Sequence, residues 1–412
     1  MTPKLRQPVP DRPFLSRTFA ALGQRDFRIY YVGYLLSVTG TWMQSVAQGW
    51  LVLILTGSPF MLGVAAAARS LPVLLLSLVG GIAADRFDKR AILVVANGAA
   101  MAASIVLAIL TLNGSVDITS VLLLTLILGT TNAFEMPARQ AFVVELTGPA
   151  HLPNAIALNS LMFNVARVVG PGLAGLIVAA FGPGVAFAVN AASFVPVLVS
   201  LLIIRPASRV ARSRIRGAMA ETVAYLRREP RVSLVLLLLA ASTILASGHF
   251  YLGPALARDL GQGAEGLGLL MSATGVGAIL AGLLVAAGTG GGRRRGATLP
   301  VAGIVLGTAE IGVGLSGSFA LTVLLFGVIG WAMVGYNVRS NTALQTIVPN
   351  ELRGRVMSLY TFVLLGLMPV GSLLLGAIAD VVGAAIAIGL GGTAWMVVVG
   401  LTVLTRPAIR GI

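Results

Sequence analysis

Twelve apolar stretches follow one another along this chain, each long enough to cross a lipid bilayer, and they limit the folds open to it. A helix needs about 20 apolar residues to span the hydrocarbon core, at a rise of about 1.5 Å per residue. Hydrophobic residues make up 57% of the 412 and charged residues only 10%, which excludes a soluble globular protein. We therefore predict an all-α integral membrane protein with twelve transmembrane helices. The stretches are 27–55, 60–84, 91–112, 118–138, 154–180, 184–204, 232–256, 265–288, 298–317, 319–340, 354–380 and 383–405.

Basic residues separate the connectors between these stretches into two classes. The connectors after odd-numbered stretches contain one basic residue, Arg258, whereas those after even-numbered stretches are rich in arginine. Loops rich in Lys and Arg remain in the cytoplasm. We therefore predict a multi-pass protein of the inner (plasma) membrane, with both termini and the even-numbered connectors in the cytoplasm. An even number of spans independently requires both termini on one side.

The longest connector, 205–231, divides the chain into two halves of six predicted helices. It is predicted to be a basic linker that ends in an amphipathic helix on the inner leaflet; its first half fits a flexible tether equally well. At an offset of 200 residues Arg139 aligns with Arg339 and Leu152 with Leu352, so the halves resemble repeats. Two such pseudo-repeats with a site between them are typical of secondary transporters. The predicted segments are a cytoplasmic tail, 1–26; an N-terminal bundle, 27–204; the linker, 205–231; a C-terminal bundle, 232–405; and a second tail, 406–412.

The charge and the scarcity of metal-binding residues bear on partners and cofactors. The net charge is +15, but its position in the tail and connectors indicates contact with anionic lipid rather than with nucleic acid. The chain has no cysteine and two histidines, so we predict neither a metal site nor a cofactor. It has no ATP-binding loop of the Gly-x-x-x-x-Gly-Lys type, so transport would run on a gradient.

The connector after the second stretch carries a candidate gate, because residues 81–90 read GIAADRFDKR. Gly81 would let two helices approach closely. Asp85 can accept hydrogen bonds from the N-terminus of an opposing helix, and Arg86 and Arg90 can bridge to acids on neighbouring helices. Such contacts hold one end of a protein shut in one state and break in the other. A plain positive-inside loop explains the arginines but not the aspartate.

A second motif lies on the fifth stretch, where Asn159, Asn164 and Arg167 precede Gly170-Pro171 and further small residues. Proline removes a backbone hydrogen bond and bends a helix, while small residues allow helices to pack closely. The same pattern also fits a kinked packing helix that has no bearing on the direction of transport.

These motifs resemble those of the major facilitator superfamily. The 81–90 segment is similar to its loop signature, with Asp88 in place of the usual glycine; Gly170-Pro171 is similar to its antiporter motif, with Ala166 in place of an earlier glycine. The resemblance extends to the enterobactin-exporter and macrolide-efflux branch, the transmembrane secretion effector group, and implies proton-driven export of siderophores or drug-like molecules. Other segments that carry it are Gln44-x-x-Ala47-x-x-Trp50, Thr56-Gly57-Ser58, Leu71-Pro72, Pro137-Ala138-Arg139-Gln140 and Glu351-x-x-Gly354-Arg355-Val356.

Charged residues at bilayer depth are costly, and they are candidates for function. Arg69 lies about ten residues into the second stretch and Arg167 about fourteen into the fifth, so both fall near mid-depth. The resemblance places these helices beside a central cavity, where two arginines suit an anionic or catechol-bearing cargo. The alternative is that each arginine is locked to a carboxylate or to backbone carbonyls.

A polar stripe on the first stretch adds to the predicted cavity. Ser37, Thr41, Gln44 and Gln48 recur at spacings that place them on one helical face. We predict that Gln44 and Gln48, together with Asn159, line a wet substrate cavity. Hydrogen bonding between helices is the alternative.

Few acids are placed to carry a proton. Glu310 lies near the middle of the ninth stretch and His249 within the seventh, and a buried carboxyl or an imidazole can exchange a proton near neutral pH. Glu135 is a third candidate. It precedes Arg139 by four residues, so it is expected either to pair with that arginine within a helix or to contact the arginines of segment 81–90.

The second half carries a candidate counterpart of the gate. Arg339 mirrors the end of the fourth stretch, and Glu351 and Arg355 lie in the tenth connector. Because the halves resemble repeats, we expect these three residues to act at the same end of the molecule as segment 81–90.

The combination of these patterns predicts a monomeric, proton-coupled exporter of small amphipathic molecules that works by alternating access. An importer or facilitator would share the fold, and a lipid-translocating protein is a further alternative. An enzyme is not expected, because the sequence offers no clustered acid–base or metal set at one interface.

Overall fold

The computed structural model describes residues 20–204, 219–286 and 298–405, and over those residues it consists of helices and short connectors. A short 3-10 turn, Ala20–Gly23, precedes the first helix. The predicted tails lie largely outside the described residues, as does the first half of the predicted linker. The helices are α1, Arg25–Thr56; α2, Pro59–Arg86; α3, Lys89–Leu112; α4, Ile118–Gly148; α5, Ala150–Phe181; α6, Pro183–Ile203; α7, Met219–Arg228; α8, Pro230–Leu245; α9, Gly248–Tyr251; α10, Gly253–Asp259; α11, Ala264–Ala286; α12, Thr298–Leu315; α13, Phe319–Ile347; α14, Asn350–Gly366; α15, Met368–Val382; and α16, Ala384–Thr405.

Ten helical segments of the described residues are long and apolar enough to cross a membrane. Two of them, Pro230–Tyr251 and Leu352–Val382, combine helices that are interrupted within the span. The apolar part of α12, Leu299–Leu315, is shorter. Helix α1 has 32 residues but is not among the ten, because its tyrosine, hydroxyl and glutamine side chains lower its hydropathy. The prediction of an all-α, multi-pass membrane protein is confirmed, whereas the count of twelve spans stays a prediction.

The connector predicted between the fourth and fifth spans is reduced to a kink. Helix α4 continues to Gly148, whose φ of 63° and ψ of 174° fall in a region open only to glycine, and α5 begins at Ala150. The prediction that Arg139 belongs to a connector is therefore wrong, because this residue lies inside α4. Within this extended helix Arg139 pairs with Glu135 one turn before it, and Thr147 donates to the carbonyl oxygen of Val143.

Two predicted spans are interrupted. The stretch predicted at 232–256 is divided into α8, α9 and α10, and the stretch at 354–380 is divided into α14 and α15. Pro254 and Pro369 each lie in the first turn of the helix that follows a break. Proline has no N–H group to donate, so it fits the start of a helix but not its interior. Hydropathy reports only apolar length and does not register such breaks.

The two halves meet along two pairs of helices, α5 with α11 and α2 with α15. Small residues permit the close approach: a Cβ on Gly268 would lie 2.8 Å from the carbonyl oxygen of Pro171 and 2.9 Å from the Cα of Gly175. In the other pair, Ser372 Oγ donates to the carbonyl oxygen of Gly63 at 3.0 Å. Along these two helix pairs the backbones of the halves therefore approach closely.

Successive spans run in opposite directions, so the bundle has two ends. We call them the odd end and the even end, after the connectors that each carries. Among the described residues, the hydrogen bonds that join the two halves lie at the odd end or near the middle of the bundle. They are Ser58 to Asp380, Phe60 to Asp380, Arg258 to Gly57, Ser372 to Gly63 and Ser272 to Val168. The structure is therefore closed at the odd end.

The second half of the linker contains a helix, α7. Arg355 Nη1 donates to Glu221 Oε2 of α7 at 2.6 Å, and Ser233 Oγ donates to the carbonyl oxygen of Leu226 at 2.5 Å. These contacts hold the linker helix against the even end of the C-terminal half.

Candidate functional site

The junction of the halves contains a cationic and aromatic cluster. The guanidinium carbon of Arg167, on α5, lies 5.5 Å from the ring centroid of Trp42 on α1. The same indole contacts the ring of Phe250, on α9 of the other half, edge to face at 6.0 Å. Arg167 Nε is buried without a hydrogen-bond partner among the described residues. The arginine therefore stacks on an aromatic ring at the junction and retains free donors.

Two other predicted cavity residues lie half-buried on the interface helices. Arg69, on α2, makes no hydrogen bond or ion pair within the described part of the chain, so the predicted alternative of a locked arginine is not what the structure shows. Its backbone carbonyl lies so close to Gly129 that a Cβ added there would overlap the oxygen. Asn159 lies on α5 and is also half-buried. The structure does not bring Arg69 into contact with Arg167.

The prediction that Gln44 and Gln48 line a wet cavity is wrong for this conformation. Both are buried inside the N-terminal half. Gln44 Oε1 accepts hydrogen bonds from Ser104 Oγ at 2.8 Å and from Asn190 Nδ2, and Gln48 Nε2 donates to Thr125 Oγ1 at 2.5 Å. These bonds tie α1 to α3, α4 and α6. Interhelical hydrogen bonding, the alternative, therefore explains the stripe.

Glu135 and Arg139 form an ion pair within α4. Arg139 Nε lies 3.0 Å from Glu135 Oε1, at the four-residue spacing that predicted an in-helix pair. The guanidinium carbon of Arg139 also lies 5.1 Å from the ring centroid of Tyr34 and 4.8 Å from that of Phe163. Arg139 is thus held by a carboxylate and two rings, and among the described residues Glu135 makes no ion pair with segment 81–90.

The structure brings together two proton-coupling candidates that the sequence left apart. His249 Nδ1, on α9, lies 2.9 Å from Glu310 Oε1 on α12, and each side chain is only 1% exposed. The second nitrogen of His249 and the second oxygen of Glu310 are buried without partners among the described residues. This pair lies in the C-terminal half.

Segment 81–90, the predicted gate, lies at the even end of the bundle. Asp85 and Arg86 form no hydrogen bond or ion pair with any described residue. The close approach predicted at Gly81 occurs one residue earlier: an added Cβ at Gly81 would meet nothing within 4 Å, whereas at Gly80 it would overlap the carbonyl oxygen of Ala133. Gly80, rather than Gly81, is therefore the residue that lets α2 approach α4.

Asp88 occupies the turn between α2 and α3, within segment 81–90. It is the N-cap residue of α3, with a φ of −62°, and its Oδ1 accepts the backbone N–H of Arg90 at 2.8 Å. No glycine is required there, because the backbone is not left-handed. The Arg90 side chain donates to the carbonyl oxygens of Leu201 and Leu202, acceptors at the end of α6 that have no partner within the helix.

A second even-end contact joins α3 to α4. Lys89 Nζ lies 2.7 Å from Glu145 Oε1, with 12% and 17% of the two side chains exposed. Sequence reasoning missed Glu145 because it falls in the connector predicted after residue 138. Glu145 lies on α4 because this helix continues to Gly148, beyond the predicted end of the fourth stretch.

The glycine–proline motif of α5 packs at two interfaces. Gly170 faces α1, where an added Cβ would lie 2.6 Å from Trp42 Cβ, and Pro171 lies against Gly268 of α11. Gly148 is the residue of 118–181 with non-helical dihedral angles, so Pro171 itself keeps helical φ and ψ. The motif therefore serves close packing within the N-terminal half at Gly170 and between the halves at Pro171.

The predicted counterpart of the gate is partly in place at the even end of the C-terminal half. Arg339 is half-buried in α13, beside Gly335. Arg355 pairs with Glu221 of the linker helix rather than with an acid of its own half. The side chain of Glu351 lies outside the described residues.

The odd end is closed by contacts that the sequence did not predict. Asp380 Oδ1 accepts a hydrogen bond from Ser58 Oγ at 2.7 Å and one from the backbone N–H of Phe60 at 3.3 Å, which helps cap α2. Arg258 Nη1 donates to the carbonyl oxygen of Gly57 at 2.9 Å. These residues border a surface cleft of about 470 Å³ between the halves. Asp380 is therefore a contact between halves.

The fold and the junction together are those of a secondary transporter, in which the site lies between two halves. The two helical halves meet along helix pairs rich in small residues, and contacts between them close the molecule at the odd end. Free donors of Arg167 lie at the junction of the halves. Within the described residues, no group of three or more acidic or histidine side chains is arranged to hold a metal.

Comparison with known proteins identifies the family. The sequence profile of the transmembrane secretion effector family matches residues 16–410, so the chain belongs to that branch of the major facilitator superfamily. It is 27% identical to the multidrug efflux pump Tap of Mycolicibacterium fortuitum, covering 84% of this chain and 87% of that protein. It is 25% identical to the staphyloferrin A transporter of Staphylococcus aureus (86% and 90% covered) and 24% identical to the enterobactin exporter EntS of Salmonella choleraesuis (92% and 91% covered).

Solved structures show the same fold at low sequence identity. A mutant of the peptide transporter POT superposes with a TM-score of 0.75 at 13% identity, covering 98% of this chain and 97% of that chain. A mutant of the nucleoside transporter NupG gives a TM-score of 0.73 at 11% identity, with 94% and 99% covered. The chain is a membrane transporter with the major facilitator fold, and its relatives are transporters rather than enzymes.

Proposed function

We propose that this transporter exports small amphipathic organic molecules of the drug or siderophore class across a bacterial inner membrane. Export is driven by exchange for protons and proceeds by alternating access. The chain acts as a monomer with both termini in the cytoplasm, where its basic segments contact anionic lipid. Efflux and siderophore transport by relatives that cover most of the chain support this cargo class.

The observation that carries the proposal is the state of Arg167. Its guanidinium stacks on Trp42 at the junction of the halves, yet among the described residues its Nε has no partner and no acid neutralises it. A buried charge without compensation is costly unless a ligand supplies the missing partner. An anionic or catechol-bearing cargo offers acceptor oxygens for the guanidinium and a flat apolar surface for the indole.

The closed odd end supports alternating access, with the protein in its inward-open state. The positive-inside rule places the odd end outside the cell, since its connectors contain a single basic residue, Arg258. Closure there and the free Asp85 at the even end correspond to a conformation open to the cytoplasm. An exporter loads its cargo in that conformation and releases it after the even end closes.

The test is transport by purified protein in liposomes with an imposed proton gradient and an interior pH dye. The cargo panel spans catecholate siderophores, macrolides and lipophilic cations. Proton efflux or influx that depends on added cargo is expected for one class. Cargo movement without proton movement would instead identify a facilitator, and silence towards all three classes by folded protein would contradict the proposed cargo range.

Lipid translocation is the second candidate function, and the same liposomes can test it. Fluorescent phospholipid in the same liposomes would become accessible to a membrane-impermeant quencher at a rate that depends on the protein. No change in that rate is expected here, because the unpaired arginine lies at the junction of the halves rather than on the lipid-facing surface.

A further inference from the structure

The buried pair His249–Glu310 has the geometry of a proton-binding site. The two side chains come from separate helices of the C-terminal half, α9 and α12, and meet at 2.9 Å with 1% of each exposed. A hydrogen bond at this distance needs a proton between the imidazole nitrogen and the carboxylate oxygen. The unpaired Nε2 and Oε2 atoms give the pair two further positions at which a proton can enter or leave.

The charge of the pair favours one exchangeable proton. With neutral His249 and ionised Glu310, the pair carries one negative charge in an apolar interior. One proton taken from water makes the pair neutral overall, either as imidazolium with carboxylate or as imidazole with carboxylic acid. A second proton would leave one positive charge. Because an uncompensated charge is costly there, the singly protonated pair is the stable form while the site is sealed.

No other charge surrounds the pair in the described part of the structure. The rings of Phe326, on α13, and His249 pack edge to face with their centroids 6.2 Å apart. Gly392 of α16 lies against Glu310, where an added Cβ would be 2.7 Å from Glu310 Cβ. Tyr251, on α9, is the other titratable side chain that interacts electrostatically with Glu310. The pair is therefore isolated from the ion pairs at the even end.

The histidine lies on a short interrupted segment that touches the opposite half. Helices α9 and α10 follow the breaks at 246–247 and 252. Pro254 of α10 packs over Gly49 of α1, where an added Cβ would lie 3.1 Å from Pro254 Cγ. At the end of α10, Arg258 donates to the carbonyl oxygen of Gly57. One short segment thus connects the pair to the odd-end closure.

We propose that His249 and Glu310 form the site that binds the exchanged proton, and that the α9–α10 segment transmits its occupancy to the odd-end closure. Protonation neutralises the pair, holds α9 against α12 and keeps Arg258 on Gly57. Release of the proton to water leaves a negative pair that draws in water and frees the segment. The inference rests on the proposed proton-coupled alternating access, and it names where the proton binds.

The experiment measures the odd end directly, without cargo. The chain has no cysteine, so Asn113→Cys and Gly317→Cys place two spin labels on exposed odd-end connectors of opposite halves. Distance distributions are recorded in lipid nanodiscs between about pH 5 and 8. We expect the closed population, which has the short distance between labels, to dominate at low pH. It should fall as the pH rises, along a titration curve for the release of one proton.

Variants of the pair, with a control and a variant of the odd-end contact, identify the pair as the cause. Glu310→Gln is expected to abolish the pH dependence, and His249→Gln is expected to change it without abolishing it, because the Glu310 carboxyl can still bind a proton. Glu265→Gln, an exposed acid on α11, is expected to leave the pH dependence unchanged. Arg258→Gln is expected to lower the closed population at every pH and to shrink the effect of pH. If single removal of a partner prevents folding, the double variant His249→Asn with Glu310→Gln restores a neutral hydrogen-bonded pair, and it too is expected to be insensitive to pH.

Retention of the parent's pH response in Glu310→Gln would overturn the inference, and so would a parent whose odd end ignores pH. The proposed function fails in a different way. If the odd end responds to pH as expected but no cargo class moves in the liposome assay, the cargo assignment is wrong while the proton site stands. If cargo drives proton flux in Glu310→Gln as in the parent, the export proposal stands and the proton site is elsewhere.

Discussion

Among single residues, the intramembrane arginines differ in whether another side chain holds them. Arg139 is held by Glu135 and two aromatic rings, so its charge is satisfied within the N-terminal half. Arg69 and Arg167 have no acid partner among the described residues. An arginine side chain cannot lose its charge at physiological pH, so these two need acceptors from water or from a ligand.

We predict that Arg167→Ala reduces transport of anionic cargo by about tenfold or more while cationic cargo changes by less than about twofold. A hydrogen bond to a charged group contributes about 1.5–3 kcal/mol, and about 1.4 kcal/mol corresponds to tenfold in affinity. The same direction is expected for Arg69→Ala. Competition transport with anionic and cationic cargo pairs in liposomes measures it.

Arg231→Ala is the matched control, because Arg231 is exposed at the even end and its ion pair, with Glu229, is long at 3.8 Å. It is expected to transport both cargo classes like the parent. Equal losses of anionic and cationic transport in Arg167→Ala would show that this arginine stabilises the fold instead.

Between helices, the interface of α5 with α11 depends on the absence of side chains. Gly268 faces the backbone of Pro171 and Gly175 at distances that a Cβ does not reach in ordinary packing. In a membrane, helices gain little from apolar burial against lipid, so close backbone contact of this kind supplies the packing energy. The small-residue motif of α5 therefore acts through its partner helix.

Gly268→Ala is expected to lower the thermal midpoint of the purified protein, because the added methyl group must separate α5 from α11 at a cost of about 1–3 kcal/mol. Gly282→Ala, on the same helix, is the matched control: its Cβ would meet nothing within 4 Å. This second variant is expected to be neutral or slightly stabilising, since alanine favours a helix more than glycine does. Equal midpoints for the two variants would contradict the role of the contact.

Across the whole molecule, the contacts between halves at the odd end set the conformation. Asp380, Ser58 and Arg258 join connectors that are far apart in the sequence, while Asp85 at the even end has no partner among the described residues. A transporter that alternates must exchange one set of contacts for the other at similar free energy. Exposed hydrogen bonds of modest strength suit that requirement.

Asp380→Ala is expected to loosen the odd end, because it removes the acceptor for Ser58 Oγ and for the backbone N–H of Phe60. At about 1 kcal/mol for each exposed bond, the closed population shifts by about five- to thirtyfold. A single cysteine at Thr56, which borders the odd-end cleft, should then react faster with a membrane-impermeant maleimide. Glu265→Ala serves as the control, and an unchanged rate in Asp380→Ala would remove Asp380 from the closure.

Asp85→Asn is expected to slow exchange between the two conformations more than it weakens cargo binding. In this conformation Asp85 has no partner among the described residues, so we expect it to make contacts only in the proposed state with the even end closed. Exchange of labelled cargo across liposomes gives the first quantity and quenching of tryptophan fluorescence the second. Asp88→Asn is the control, since asparagine also caps a helix; equal losses of exchange and binding would refute a gating role for Asp85.

Composition, length and local spacing were enough to predict part of this protein before any helix was packed. Apolar stretches predicted a helical multi-pass membrane protein, the motifs predicted its branch of the superfamily, and the four-residue spacing predicted the pair of Glu135 with Arg139. These features follow from backbone hydrogen bonding in lipid and from helical periodicity, which need no knowledge of neighbours.

Which polar side chains meet across helices became known from the packed bundle alone. Gln44 is bonded inside the N-terminal half rather than facing a cavity, and His249 meets Glu310 across 61 positions of sequence. The kink at Gly148 and the breaks before Pro254 and Pro369 were equally unreadable from hydropathy. Helix rotation and long-range pairing are set by packing against partners, because one helix alone does not specify which of its faces a partner covers.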